Sequence, residues 1–204
     1  MQLDHWLSLV GICLLGAMSP GPSLAVVMNT ALRSGRRAGY GAAIAHGLGV
    51  GLYALFTVTG LAVLIARSPA LFLVIQVLGA GYLIYLGVQS LRHAAAQEPD
   101  SEQGPTRRHG ALDGFWIAFL NPKLAVFMLA LFSQFIRPEA GLLEKGIMVA
   151  TVTTTDACWY ALVVTLLSRS ALQAKLLQHG PLIDRVFGVL VIVLAISVLL
   201  RAAL

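Results

Sequence analysis

Charge is what this sequence has least of: only 11% of its 204 residues are Asp, Glu, Lys or Arg, against roughly 25% in an ordinary soluble domain. Together with a mean hydropathy of +0.83, that scarcity excludes a water-soluble globular domain. Cysteine is nearly absent as well. Cys13 and Cys158 stand singly in apolar segments without CxxC spacing, so neither a disulfide framework nor a metal site is expected. No Lys or Arg precedes Arg33, while Asp4 lies near the start, and without a positive leading region the first apolar run reads as a retained span rather than a cleaved signal. Also missing is the ~10-residue alternation of apolar and polar residues that a membrane β-barrel requires.

What fills the chain instead is long uncharged runs. Between Arg37 and Arg67 lie 29 residues without a formal charge, and between Arg67 and Arg92 another 24, where ~20 apolar residues suffice to cross a hydrocarbon core. Six membrane helices are predicted, at approximately 6–32, 38–66, 69–91, 113–136, 146–168 and 181–200, because only helices satisfy their backbone within a bilayer when no barrel pattern is present. The fold class is therefore all-α, a polytopic membrane protein with the lipid bilayer as its partner. The stretch "RHAAAQEPDSEQGPTRRHGALD" from Arg92 to Asp113 reads as a polar linker. It divides a single transmembrane domain, 1–204, into a first half 1–92, a cytoplasmic loop 93–112 and a second half 113–204.

The net charge of +5 does not indicate nucleic acid, because the basic residues sit at the ends of the apolar runs, where they set topology. With the N-terminus outside, nine Lys and Arg fall on inner loops (Arg33, Arg36, Arg37, Arg92, Arg107, Arg108, Arg169, Lys175 and Arg185) and four outside (Arg67, Arg137, Lys145 and Arg201). Both termini are expected on the outer, periplasmic side.

The two halves carry a repeat. "PSLAVVM" from Pro22 matches "PKLAVFM" from Pro122 at five of seven positions, and Tyr53-Ala54-Leu55 matches Tyr160-Ala161-Leu162. Three helices per half is an odd number, so a duplicated half must lie inverted. Such inverted repeats place a substrate site near the midplane, at discontinuous helices. The prolines suit that role: Ser19-Pro20-Gly21-Pro22 interrupts the first predicted helix and Asn121-Pro122-Lys123 the fourth, each Pro removing a donor and clashing with the preceding turn. The carbonyls and amides freed there need partners.

Two formal charges stand out deep in the predicted spans, Lys123 and Asp156, where a charge costs ~2.5–3.5 kcal/mol on insertion scales. Asp156 is too short to reach the surface, so it is expected to pair with Lys123, carry a proton or bind a substrate ammonium. His46 is a second candidate proton site, since histidine changes charge near neutral pH. Thr151, Thr153, Thr154 and Thr155 precede Asp156 and either bind a ligand or bond back to their own helix. Gly39, Gly41, Gly47, Gly49 and Gly51 offer a small surface for close helix packing.

The segments "MSPGPSLAVVMNTALRSGRRAGYGAAIAHGLG" and "FLNPKLAVFMLALFSQFI" make the chain resemble the lysine and homoserine/threonine exporters of the LysE/RhtB family over nearly its whole length. That resemblance implies a secondary transporter, not an enzyme, in the bacterial inner membrane. It would export amino acids or close derivatives, driven by the proton gradient and without a cofactor. It marks Pro20, Gly21, Pro22, Asn121, Pro122 and Lys123 as site residues, to which the reading above adds Asp156 for substrate and Asp156 with His46 for protons. Two alternatives stand beside it. An exporter of metal or other small ions would need several converging ligands, and a membrane thiol-disulfide conductor would need paired reactive cysteines. A chain this small is also compatible with a homo-oligomer.

Overall fold

The computed structural model describes residues 2–19, 21–96, 110–137, 139–167 and 178–203. Pro20 lies outside these residues, as do most of the central linker and Arg107, Arg108, Arg169 and Lys175 of the topology argument. The described residues form eight helices: α1 (Leu3–Met18), α2 (Pro22–Ser34), α3 (Arg36–Arg67), α4 (Pro69–Ala96), α5 (Ala111–Phe119), α6 (Pro122–Phe135), α7 (Leu142–Leu166) and α8 (Gly180–Ala203). Among them there is no strand.

Proline sets three of the starts. Pro22, Pro69 and Pro122 open α2, α4 and α6, a position where the missing N–H has no helical partner to lose and the fixed φ is already helical. Between α2 and α3 the chain turns through Gly35 at φ 86°, a left-handed conformation that glycine adopts without steric penalty. The third predicted helix runs past its expected end at residue 91, because Ala94, Ala95 and Ala96 are the strongest helix formers available.

Helices α3, α4, α7 and α8 are each long and apolar enough to cross a membrane, and α1 with α2 and α5 with α6 qualify as bent pairs, giving up to six spans. Both pairs bend by 62°. The sequence of bent pair, long helix, long helix thus occurs twice. The two most extensive interfaces join α3 to α7 and α4 to α8, helices at equivalent places in the two halves, as a two-fold relation between them would produce.

Small residues let these contacts close. A Cβ on Gly47 of α3 would lie 2.7 Å from the Cβ of Ala157 on α7, and one on Gly49 would lie 3.0 Å from the Cβ of Ala118 on α5. Opposite faces of α3 therefore press on both neighbours at near-backbone distance. Outward, Leu71, Val74 and Leu78 of α4 and Val186, Val189 and Val193 of α8 are exposed. At i, i+3, i+7 spacing each set forms one stripe. In a bilayer that stripe meets acyl chains.

Candidate functional site

Both breaks open onto one cavity of about 180 Å³, smaller than the ~300–1,000 Å³ of sites for drug-sized ligands and scaled to a small metabolite. The first break contributes Ser19, Gly21, Pro22 and Ser23 to its wall, and the second contributes Asn121 and Lys123. From the long helices come His46, Asp156, Tyr160 and Asp184. The fold thus gathers Gly21, Pro22, Asn121, Lys123, Asp156 and His46 from positions up to 135 residues apart. Of Pro122 only the backbone is described.

The second break exchanges its hydrogen bonds rather than losing them. In an uninterrupted helix the Lys123 N–H would reach the Phe119 carbonyl. Here it donates to Asn121 Oδ1 at 3.0 Å, with Leu124 N–H donating to the same oxygen at 3.3 Å. The Phe119 carbonyl instead accepts the hydroxyl of Tyr53 from α3, whose ring also stacks on Phe119. Asn121 is therefore the N-cap of α6. Asn121→Ala should lower stability by ~1 kcal/mol, read as a lower unfolding midpoint of the detergent-solubilised protein.

The first break differs. Its N-cap is Gly21, which has no side chain to cap α2, and Gly21 and Ser23 line the cavity, so the N-terminus of α2 lacks the side-chain cap that Asn121 places on α6. Two motifs that match in sequence thus differ in chemistry.

Next to the breaks lies an ionisable pair. His46 Nδ1 and Asp156 Oδ2 are 2.7 Å apart, with side chains only 3% and 11% exposed. The His46 ring packs edge-on to Tyr160 at 4.7 Å, and its Nε2 is buried with no hydrogen-bond partner among the described residues. The partner of Asp156 is therefore His46, not the Lys123 named as one option from the sequence. The glycine contacts between α3 and α7 bring the facing side chains of those helices together, whereas Lys123 lines the cavity with an exposed side chain.

Two of the four threonines, Thr153 and Thr154, follow the local reading, donating to the carbonyls of Val149 and Ala150 one turn back. Thr151 accepts from Trp6 Nε1 at 2.9 Å.

Sequence reasoning missed Asp184. This carboxylate is 8% exposed, accepts a hydrogen bond from Ser19 Oγ at 2.7 Å and lines the cavity. It stands near the start of the sixth predicted span, beside Arg185, so no long uncharged run sets it apart. The available signal was its register, since Phe187, Val191 and Ala195 on the same face of α8 are all buried. Among the described residues, no group of three or more His, Cys, Asp or Glu is placed to hold a metal ion. Cys13 is buried and Cys158 exposed.

Polytopic helices around a small cavity that mixes charged and apolar side chains are the architecture of a membrane protein, and the LysE type translocator family matches residues 14–202. The chain belongs to this family. Among curated relatives it is 26% identical over 197 residues to an uncharacterized membrane protein, YrhP, of Bacillus subtilis (strain 168), covering 91% of this chain and 94% of that one. It is 28% identical over 191 residues to the homoserine/homoserine lactone efflux proteins of Salmonella typhimurium (strain LT2) and Salmonella typhi, covering 92% of each chain in both cases. No solved structure matches it.

Proposed function

We propose that this protein exports a small amine-bearing compound, an amino acid or a close derivative, from the cytoplasm in exchange for protons. The observation that carries this reading is the convergence of both helix breaks, Lys123 and two carboxylates on one cavity. The names of the Salmonella relatives support it: homoserine and its lactone share an α-ammonium group, while only the former has a free carboxylate.

In the mechanism, a substrate carboxylate lies at the uncapped N-terminus of α2 and near Lys123, where helix dipole and charge favour an anion. The N-terminus of α6 is already occupied by Asn121. The two halves rock about this site to open it to either side of the bacterial inner membrane, with both termini periplasmic. The His46–Asp156 pair carries the proton, because a carboxylate and an imidazole 2.7 Å apart hold one exchangeable hydrogen between them. One proton moving inward down 100 mV releases ~2.3 kcal/mol, enough for about fiftyfold uphill export.

The test is to feed bacteria dipeptides of homoserine, threonine and lysine with and without expression of the chain, and to measure the free amino acids released. Expression is expected to raise the release of at least one of them several-fold. Unchanged release of all of them, alongside new resistance to metal salts, would overturn the assignment in favour of ion export.

A further inference from the structure

The tyrosines of the repeated words Tyr53-Ala54-Leu55 and Tyr160-Ala161-Leu162 stand on α3 and α7, the helices that share one of the two most extensive interfaces between the halves. Each reaches across to the broken span of the other half. Tyr53 donates its hydroxyl to the carbonyl of Phe119, at the end of α5 just before the second break, and its ring stacks on Phe119 at 5.3 Å. Tyr160 makes a side-chain hydrogen bond with Ser23, in the first turn of α2 just after the first break. Its ring packs edge-on to the imidazole of His46 at 4.7 Å. The tyrosines thus hold the two breaks reciprocally, as a two-fold relation between the halves requires.

The two contacts differ in what their loss leaves behind. Removing the hydroxyl of Tyr53 strips a donor from a backbone carbonyl at membrane depth, where no water replaces it. Asn121 closes the other side of the same break by accepting from the amides of Lys123 and Leu124. That break is fixed. At the first break the bond joins one side chain to another, both on the cavity wall, and hydroxyls rotate to new partners without stripping the backbone. This bond can be exchanged. Tyr160 is only 3% exposed, and a ring packed so closely passes a displacement at one end to the other, because protein interiors yield little.

We infer that Tyr160 is the positioning residue through which the His46–Asp156 pair acts on the first break, while its repeat counterpart Tyr53 holds the second break as a fixed frame. The inference rests on the proton reading of that pair given above. An imidazole that gains a proton becomes a cation, which the ring quadrupole of Tyr160 attracts more strongly than it does the neutral ring. The phenol is rigid, so a shift of its ring toward His46 or away from it moves the hydroxyl that holds Ser23. Cys13, Lys123 and Asp184 line the same wall from α1, α6 and α8 and shape the field in which the pair gains and loses its proton. Tyr160 contacts both the pair and the break. The first span is then the part of the gate that answers to protons.

The test uses the full chain in proteoliposomes with radiolabelled homoserine, threonine or lysine, whichever it exports. Uphill accumulation under an imposed potential is compared with counterflow, alongside the unfolding midpoint in detergent. Tyr160→Phe removes the hydroxyl and keeps the ring on His46, so accumulation is expected to fall several-fold toward unity while counterflow continues and the midpoint holds. Ser23→Ala is expected to match it. Tyr53→Phe is expected to do the opposite, lowering the midpoint and keeping the accumulation ratio. A merely structural role for Tyr160 would move stability and both transport modes together. Undiminished accumulation in Tyr160→Phe, counterflow lost in step with accumulation, or an equal loss of accumulation in Tyr53→Phe overturns the inference. If Tyr160→Phe fails to fold, Ser23→Ala decides by the same comparison. Asp156→Asn distinguishes this failure from failure of the proton reading: if it too accumulates substrate at the unmodified level, the pair carries no proton and the inference falls with that reading. Absence of counterflow of all three compounds by the unmodified chain overturns the export reading and this inference together.

Discussion

Gly114→Leu is expected to remove the folded protein from the membrane, and even Gly114→Ala to lower its unfolding midpoint markedly. Gly114 lies on α5 against α3, where a Cβ would collide with the backbone of Ala42: its carbonyl oxygen, its carbonyl carbon at 2.7 Å and its Cα at 2.9 Å. A side chain in the way can rotate, but a backbone carbonyl inside a helix cannot. The two helices would have to separate along the whole interface, which includes the close approach at Gly49. Overpacking typically costs ~1–3 kcal/mol, occasionally more, and a backbone clash belongs at the upper end of that range. The damage would reach the site, because α5 ends at Phe119, whose carbonyl is held by Tyr53 of α3. Gly146→Ala is the control, a helical glycine with nothing within 4 Å of the added Cβ, and it should be neutral or slightly stabilising. Thermal unfolding in detergent and the amount of protein in the membrane read both variants. Equal midpoints for Gly114→Ala and the unmodified chain would refute the packing argument.

The glycine contacts also show where sequence information stopped. Helix positions were legible because a bilayer demands long uncharged runs, and those runs are visible one residue at a time. The breaks were legible because Pro22 and Pro122 head matching words, and the equal 62° bends follow from that chemistry. Lateral partners were not. His46 meets Asp156 across 110 residues only because Gly47 and Gly51 let α3 and α7 approach, and no local pattern names the residue facing a given side chain. Nor did the repeat reveal that the breaks are capped differently, since a matched proline conceals the difference between Gly21 and Asn121 one position earlier. Asp184 shows a third limit. Depth counted along a helix is a poor guide to burial when a cavity reaches toward the membrane surface.

Asp156→Asn should uncouple transport without stopping it. The amide keeps the size of the carboxylate and still makes a hydrogen bond with His46, so the contact at 2.7 Å survives and the fold is kept, but the residue no longer gains or loses a proton. Net export against a gradient needs that proton, whereas exchange of labelled for unlabelled substrate does not. In proteoliposomes with an imposed 100 mV, the accumulation ratio should therefore fall from a limit of about fiftyfold toward unity, while counterflow continues. His46→Gln should give the same division, because the two side chains act as one unit. The double variant should be no worse than either single one, as expected for residues that share a single interaction. If Asp156→Asn supports uphill export at the unmodified level, the proton does not travel through this pair.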